Sequence, residues 1–130
     1  MKQVIGIDLG GTAIKLGRFS TDGTCHQSLT VPTPQPATPE AVLSAMVDAI
    51  SQLNPTDNSV QAIGVGTPGP ADAKGRIAKV AINLKNWHNV PLAHWLEAKT
   101  SLPTILANDA NCAGLGEAWL GAGRHFQDLI

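Results

Sequence analysis

Apolar and polar positions alternate with a period of two at the start of the chain and with a helical period further on, which divides it into elements. Residues 4–8 and 13–19 read as two strands joined by residues 9–12. After the turn Thr21-Asp22-Gly23, residues 24–31 read as a third, and the three are expected to be antiparallel. The segment "PTPQPATP", residues 32–39, holds four prolines that cannot donate a backbone hydrogen bond, so it reads as a stiff surface connection. It ends at a helix start, with Thr38 suited to the N-cap and Pro39 to the first helical position. Val42, Met46, Ile50 and Leu53 then recur at helical spacing with Leu43 and Val47 beside them, so residues 40–53 bury one stripe until Asn54-Pro55 stops the helix.

From Val60 the pattern shortens. "VQAIGVG" is a brief apolar strand ending in glycines, "TPGPADAKG" is loop and turn, and residues 71–82 suggest a small hairpin. Asn89 is placed to cap a helix that opens with Val90 and Pro91 and runs to about Lys99. Residues 104–107 form another short strand, followed by Asn108-Asp109 and a small-residue helix over 110–120. The order is βββαβαβα. Strand and helix alternating in the second half imply parallel strands added to a sheet begun by antiparallel ones, hence a mixed five-stranded α/β sheet.

Charge and cysteine content narrow the class of partner. Nine Lys plus Arg against ten Asp plus Glu give a net charge of −1, so no global field draws the chain to nucleic acid or to an anionic membrane. A small molecule is the better partner. Cys25 and Cys112 form no C-x-x-C pair, and His26, His88, His94 and His125 show no ligand spacing, which fits buried thiols, surface or satisfied histidines and a reducing, cytoplasmic setting. Asp8 interrupts the first apolar run too early for a signal peptide, and no stretch approaches the ~18 continuous apolar residues of a membrane span.

The candidate chemistry begins in "IGIDLGGTAIKLG", residues 5–17, where an acid, two glycines and a hydroxyl stand between two strands. A Gly-Gly pair there serves as a hairpin turn, since glycine takes the positive φ such turns need. It serves equally as a phosphate grip made of turn amides, with the Thr12 hydroxyl beside them. Dinucleotide and Walker A loops both run from strand to helix, whereas here a second strand follows, so "DLGGT" is neither. An acid beside phosphates needs a cation between them, which makes Asp8 a reasonable ligand for the Mg²⁺ accompanying a nucleotide.

"DLGGTAIK", residues 8–15, resembles the first phosphate motif of actin-like sugar kinases, more narrowly of the ROK family of bacterial glucokinases, related sugar kinases and repressors. "GVGTPGP" (64–70), "NLKNW" (83–87) and "NDANCAGLGEAWLGAG" (108–123) agree with that family in order and spacing. The resemblance implies an actin-like, ribonuclease H-like half-domain and a glucokinase-type transfer from ATP or polyphosphate to the 6-hydroxyl of glucose or a related hexose, a reaction of glycolysis and carbohydrate metabolism. It also implies the roles. Gly10, Gly11 and Thr12 would face the donor phosphates and Asp8 would hold the metal. Asp109 would be the general base, and Asn108, Gly69 and Asn83 would line the sugar pocket. Lys15 reads either as a phosphate contact or as a solvated charge. On the residues alone, Asp109 is also simply an acid in a helix's first turn, and Asn83 an asparagine bonding its own turn. Glu117, Trp87 and Trp95 read as structural.

The chain departs from the family by being shorter, since members repeat the βββαβαβα unit and place the donor between two halves. Residues 1–123 would be the N-terminal domain and 124–130 the start of a second, with the fragment alone inactive and prone to self-association through the small-residue helix. A homo-oligomer is expected. A non-catalytic ROK sugar sensor is the rival. The family's repressors carry a DNA-binding module ahead of this domain, and Met1 stands just before the first strand.

Overall fold

A computed structural model describes residues 2–20, 22–55, 58–69, 71–80, 84 and 86–108. The strands β1 (Gln3–Leu9), β2 (Ala13–Ser20) and β3 (Cys25–Pro32) are followed by α1 (Pro39–Leu53), β4 (Val60–Thr67), β5 (Ala78–Val80), β6 (His88–Val90), α2 (Leu92–Thr100) and β7 (Thr104–Asn108). The main sheet has the order β3-β2-β1-β4-β7. Its first three strands are antiparallel, whereas β4 joins β1, and β7 joins β4, in parallel. This is the mixed five-stranded sheet expected from the residue pattern. The helix expected over 110–120, with Cys112 and Glu117, and the domain start at 124–130 lie outside the described residues, as does His125.

Strand alternation sends Ile5, Ile7 and Leu9 to the face covered by α1 and α2, where they pack with Ile63, Val65, Met46 and Leu96. Helix α1 contributes Val42, Met46, Ala49, Ile50 and Leu53, the stripe that its spacing dictates. Its start follows the cap expected for it: the Thr38 hydroxyl accepts from the Ala41 amide at 3.3 Å, with Pro39 in the first turn. Val4, Ala62 and Ile105 form a smaller cluster with Phe19 packed against it. The Gln35–Pro36 peptide is cis.

Two local expectations change. The hairpin expected over 71–82 is shorter: among the described residues Ala71 bridges Ala78 in antiparallel fashion and the Asp72 amide donates to Ile77 O at 3.0 Å. From Ala78 onward β5 pairs with β6, Ala78 opposite Val90 and Val80 opposite His88. The reason for the short hairpin is the Asp72 carboxylate, which accepts from the Arg76 and Ile77 amides at 2.7 and 2.9 Å and closes a tight loop. Asn89 is not a helix cap. It lies in β6 with φ 51°, between His88 and Val90, which both pair with β5; the helix starts at Leu92, with Pro91 at the N-cap position and no side-chain cap.

Candidate active site

The site is built at the carboxyl ends of the parallel strands, where open α/β sheets bind ligands. Cross-strand register puts Asp8 of β1 beside Gly66 of β4, and Gly66 beside Ala107 of β7. Two strand spacings therefore separate Asp8 from Ala107, roughly 10 Å, and Asn108 stands one residue beyond. Asp8 is exposed, since alternation buries its neighbours Ile7 and Leu9 on the opposite face. Lys15 faces Asp8 directly across the β1–β2 pair, also exposed.

Residues 10–12 join β1 to β2. The Gly10 amide donates to the Ala13 carbonyl at 3.0 Å, and a Cβ on Gly10 would stand 2.7 Å from that same oxygen, so no side chain fits. The three carbonyls of this turn are all taken by the chain leaving β3. The Thr33 hydroxyl donates to Gly10 O at 2.7 Å, the Gln35 amide nitrogen to Gly11 O at 3.1 Å, and the Thr33 amide to Thr12 O at 2.9 Å. Among the described residues no acceptor meets the amides of Gly11 and Thr12. Two unspent donors, the exposed Thr12 side chain and a carboxylate one strand residue away suit a metal-bound polyanion.

Thr67 is the residue that the sequence reading missed. Its fully buried hydroxyl lies 2.8 Å from Gly69 O and 3.2 Å from Ala107 O, so it links the loop after β4 to the end of β7. Gly69, a sugar-pocket candidate, is thereby fixed beside the strand that delivers Asn108. The signal available was a hydroxyl residue at the end of an otherwise apolar strand, whose burial requires a partner. Asn83 and Asp109 lie outside the described residues, and for Asn108 the structure gives the backbone position.

Strand β7 owes its placement to more than its pairing with β4. Arg76 and Glu97 form an ion pair, and each also holds β7: the guanidinium donates to Thr104 O at 2.8 Å, and the carboxylate accepts from the Thr104 amide at 3.0 Å. Two residues on, the Leu106 amide donates to Gly75 O at 2.7 Å. These groups occupy the edge of β7 away from β4, where polar backbone would otherwise stand open.

The clamp has a pH dependence. The Arg76 guanidinium, and after it the Thr104 amide, hold the Glu97 carboxyl below its ordinary 4.5. The Ile77 and Arg76 amides likewise hold Asp72 below 3.8. The Ser20 hydroxyl and the Thr24 amide lower Asp22 to about 2. Carboxyls depressed by folding add stability above their unfolded values and lose it as the pH falls through the folded ones. We therefore expect a melting temperature that is level from pH 7 to near 5 and declines below that, as unfolded Glu97 takes up a proton around its ordinary 4.5. Thermal melts of Glu97→Gln should show a shallower acid decline; a slope equal to the wild type's would remove Glu97 from this account.

A profile described as the ROK family matches residues 4–130. The chain is 34% identical over 128 residues to the glucokinase of Thermotoga maritima, covering 98% of this chain and 40% of that one. Among solved structures, a ROK family glucokinase from Streptomyces griseus, in complex with glucose and AMPPNP, superposes with a TM-score of 0.80 at 34% identity, covering 93% of this chain and 38% of that one. An inorganic polyphosphate/ATP-glucomannokinase from Arthrobacter sp. strain KM gives 0.77 at 37% identity, over 95% of this chain and 50% of that one. The chain belongs to the ROK family, and its sheet is the mixed α/β sheet of the actin-like fold. It spans about 40% of the length of the curated relatives it matches.

Proposed function

We propose that the full-length protein is a glucokinase-type sugar kinase, moving the terminal phosphoryl group of ATP to the 6-hydroxyl of glucose or a related hexose. The observation that carries this is the convergence at one end of the sheet: a turn with two amides that meet no acceptor among the described residues, an exposed acid beside it, and two strands away the β7 end that leads to Asp109. In this reading Gly10, Gly11 and Thr12 meet the donor phosphates. Asp8 would hold Mg²⁺, directly or through water, because its carboxylate is exposed beside that turn, and the ion when bound would supply charge neutralisation at the phosphates. Lys15, across from Asp8, adds a cation on the same edge. Asn108, Gly69 and Asn83 hold the sugar, with an amide side chain able both to donate and to accept.

Asp109 accepts the proton of the attacking hydroxyl. Phosphoryl transfer asks little more of the protein than positioning and charge stabilisation, so one carboxylate aimed at the nucleophile suffices. Residues 1–123 form the first of two lobes and 124–130 open the second, which completes the donor site. We expect a cytoplasmic homo-oligomer, and negligible turnover by the 130-residue chain alone.

A second donor is favoured by one feature. Turn amides grip phosphates whatever follows them, so inorganic polyphosphate suits residues 10–12 as well as ATP does. A coupled assay for sugar phosphate, run on the full-length protein with Mg-ATP and with polyphosphate against a hexose panel, decides both questions. Turnover with ATP and one hexose supports the proposal, and turnover with polyphosphate alone replaces the donor. Sugar binding without turnover would make the protein a sensor and leave the turn without its catalytic role.

A further inference from the structure

We infer that Thr33 and Gln35 are positioning residues for the donor loop, a conclusion that rests on reading residues 10–12 as that loop. Peptide geometry dictates which way the amides of this loop face. Each peptide unit is planar and trans, so its carbonyl and its amide N–H point in opposite directions. Gly10 O shares a plane with the Gly11 amide, Gly11 O with the Thr12 amide, and Thr12 O with the Ala13 amide. Fixing the three carbonyls on one side therefore presents the amides on the other. The segment after β3 supplies all three anchors: the Thr33 hydroxyl, the Gln35 side chain and the Thr33 amide. Without them a glycine peptide turns over at little steric cost and points a carbonyl, which repels phosphate, where an amide stood.

The strap is itself held. Pro32, Pro34 and Pro36 restrict its backbone. Thr33 and Ala37 are buried, and the Ala37 carbonyl accepts from the Trp87 indole at 2.8 Å inside the core. Thr38 then donates its amide to Pro36 O at 2.9 Å and caps α1 with its side chain. Orientation of the donor loop is thus set by α1 and by Trp87 of the "NLKNW" stretch, through residues whose side chains hydrogen-bond to carbonyl oxygens of that loop.

The test uses the full-length protein with Thr33→Val, which removes the hydroxyl at nearly constant shape, and Gln35→Leu, at an exposed position where folding is not at stake. Calorimetric titration with Mg-AMPPNP should show donor affinity falling about five- to tenfold in each variant, the effect of one lost hydrogen bond. The donor KM should rise in step, the hexose KM should stay put, and Thr33→Ser should restore donor binding. Variants that bind donor as the wild type does, or whose hexose and donor KM rise together, would overturn the positioning role while leaving the donor loop standing. A wild type that binds no donor would remove the donor-loop reading and this inference with it.

Discussion

Asp109→Asn in the full-length protein is expected to lower sugar phosphate formation by about 10²–10⁴-fold, the span over which a positioned general base contributes. Glucose binding measured by calorimetry should survive, because the amide keeps the size of the carboxylate and one acceptor oxygen, and a sugar hydroxyl can accept from its NH2 in place of donating to the second oxygen. The placement behind this expectation comes from register. Thr67 pairs with Asn108 at the end of the parallel β4–β7 ladder, the end where Asp8 and the donor turn lie, and Asp109 is the next residue in the sequence. An acid serving only a helix's first turn would respond differently: Asn is also a good cap, so the variant would lose at most about 1 kcal/mol of stability and keep its turnover. Initial rates at saturating ATP and hexose separate the two. Turnover within tenfold of the wild type would exclude Asp109 as the base.

Much of this arrangement was legible in the residues and part was not. Alternation and helical spacing located five of the main strands and α1, because each buries one regular face, and Thr38-Pro39 marked the helix start through local cap chemistry. Asn89 misled for the same local reason: the residue favours caps, but pairing of β5 with β6 outweighs that preference and uses its tolerance of positive φ instead. The donor turn announced itself by composition. Its anchors did not, because Thr33 and Gln35 stand 23 and 24 residues away from the carbonyls they hold, and nothing in a proline-rich segment specifies which turn it packs against. The hydroxyl of Thr67 and the Arg76–Glu97 clamp are long-range in the same sense. Polar residues read singly say only that they need partners; the sheet order decides which ones.

Gly75→Ala is expected to be the most damaging single methyl in the described residues, destabilising by about 3 kcal/mol or more. Gly75 adopts φ 69°, a conformation costing an L-residue about 1–2 kcal/mol. The added Cβ would stand 2.5 Å from Ile105 Cγ1 and 2.8 Å from the Leu106 carbonyl oxygen, closer than real atoms approach. The first of these neighbours can rotate. The second is β7 backbone, already tied to the same loop by the Leu106 amide and Gly75 O, so relief requires the strand and the 72–77 loop to part. Pairing Gly75→Ala with Ile105→Ala therefore should not recover the stability of Ile105→Ala alone, since the carbonyl contact and the backbone conformation remain. Because Leu106 lies two residues before Asn108, the displacement should reach the sugar pocket, and the surviving folded protein should show a raised hexose KM. Thermal melts of the full-length single and double variants read the first effect and steady-state kinetics the second. A Gly75→Ala protein that melts with the wild type and keeps its hexose KM would mean that the loop does not hold β7 in place and that pairing with β4 suffices.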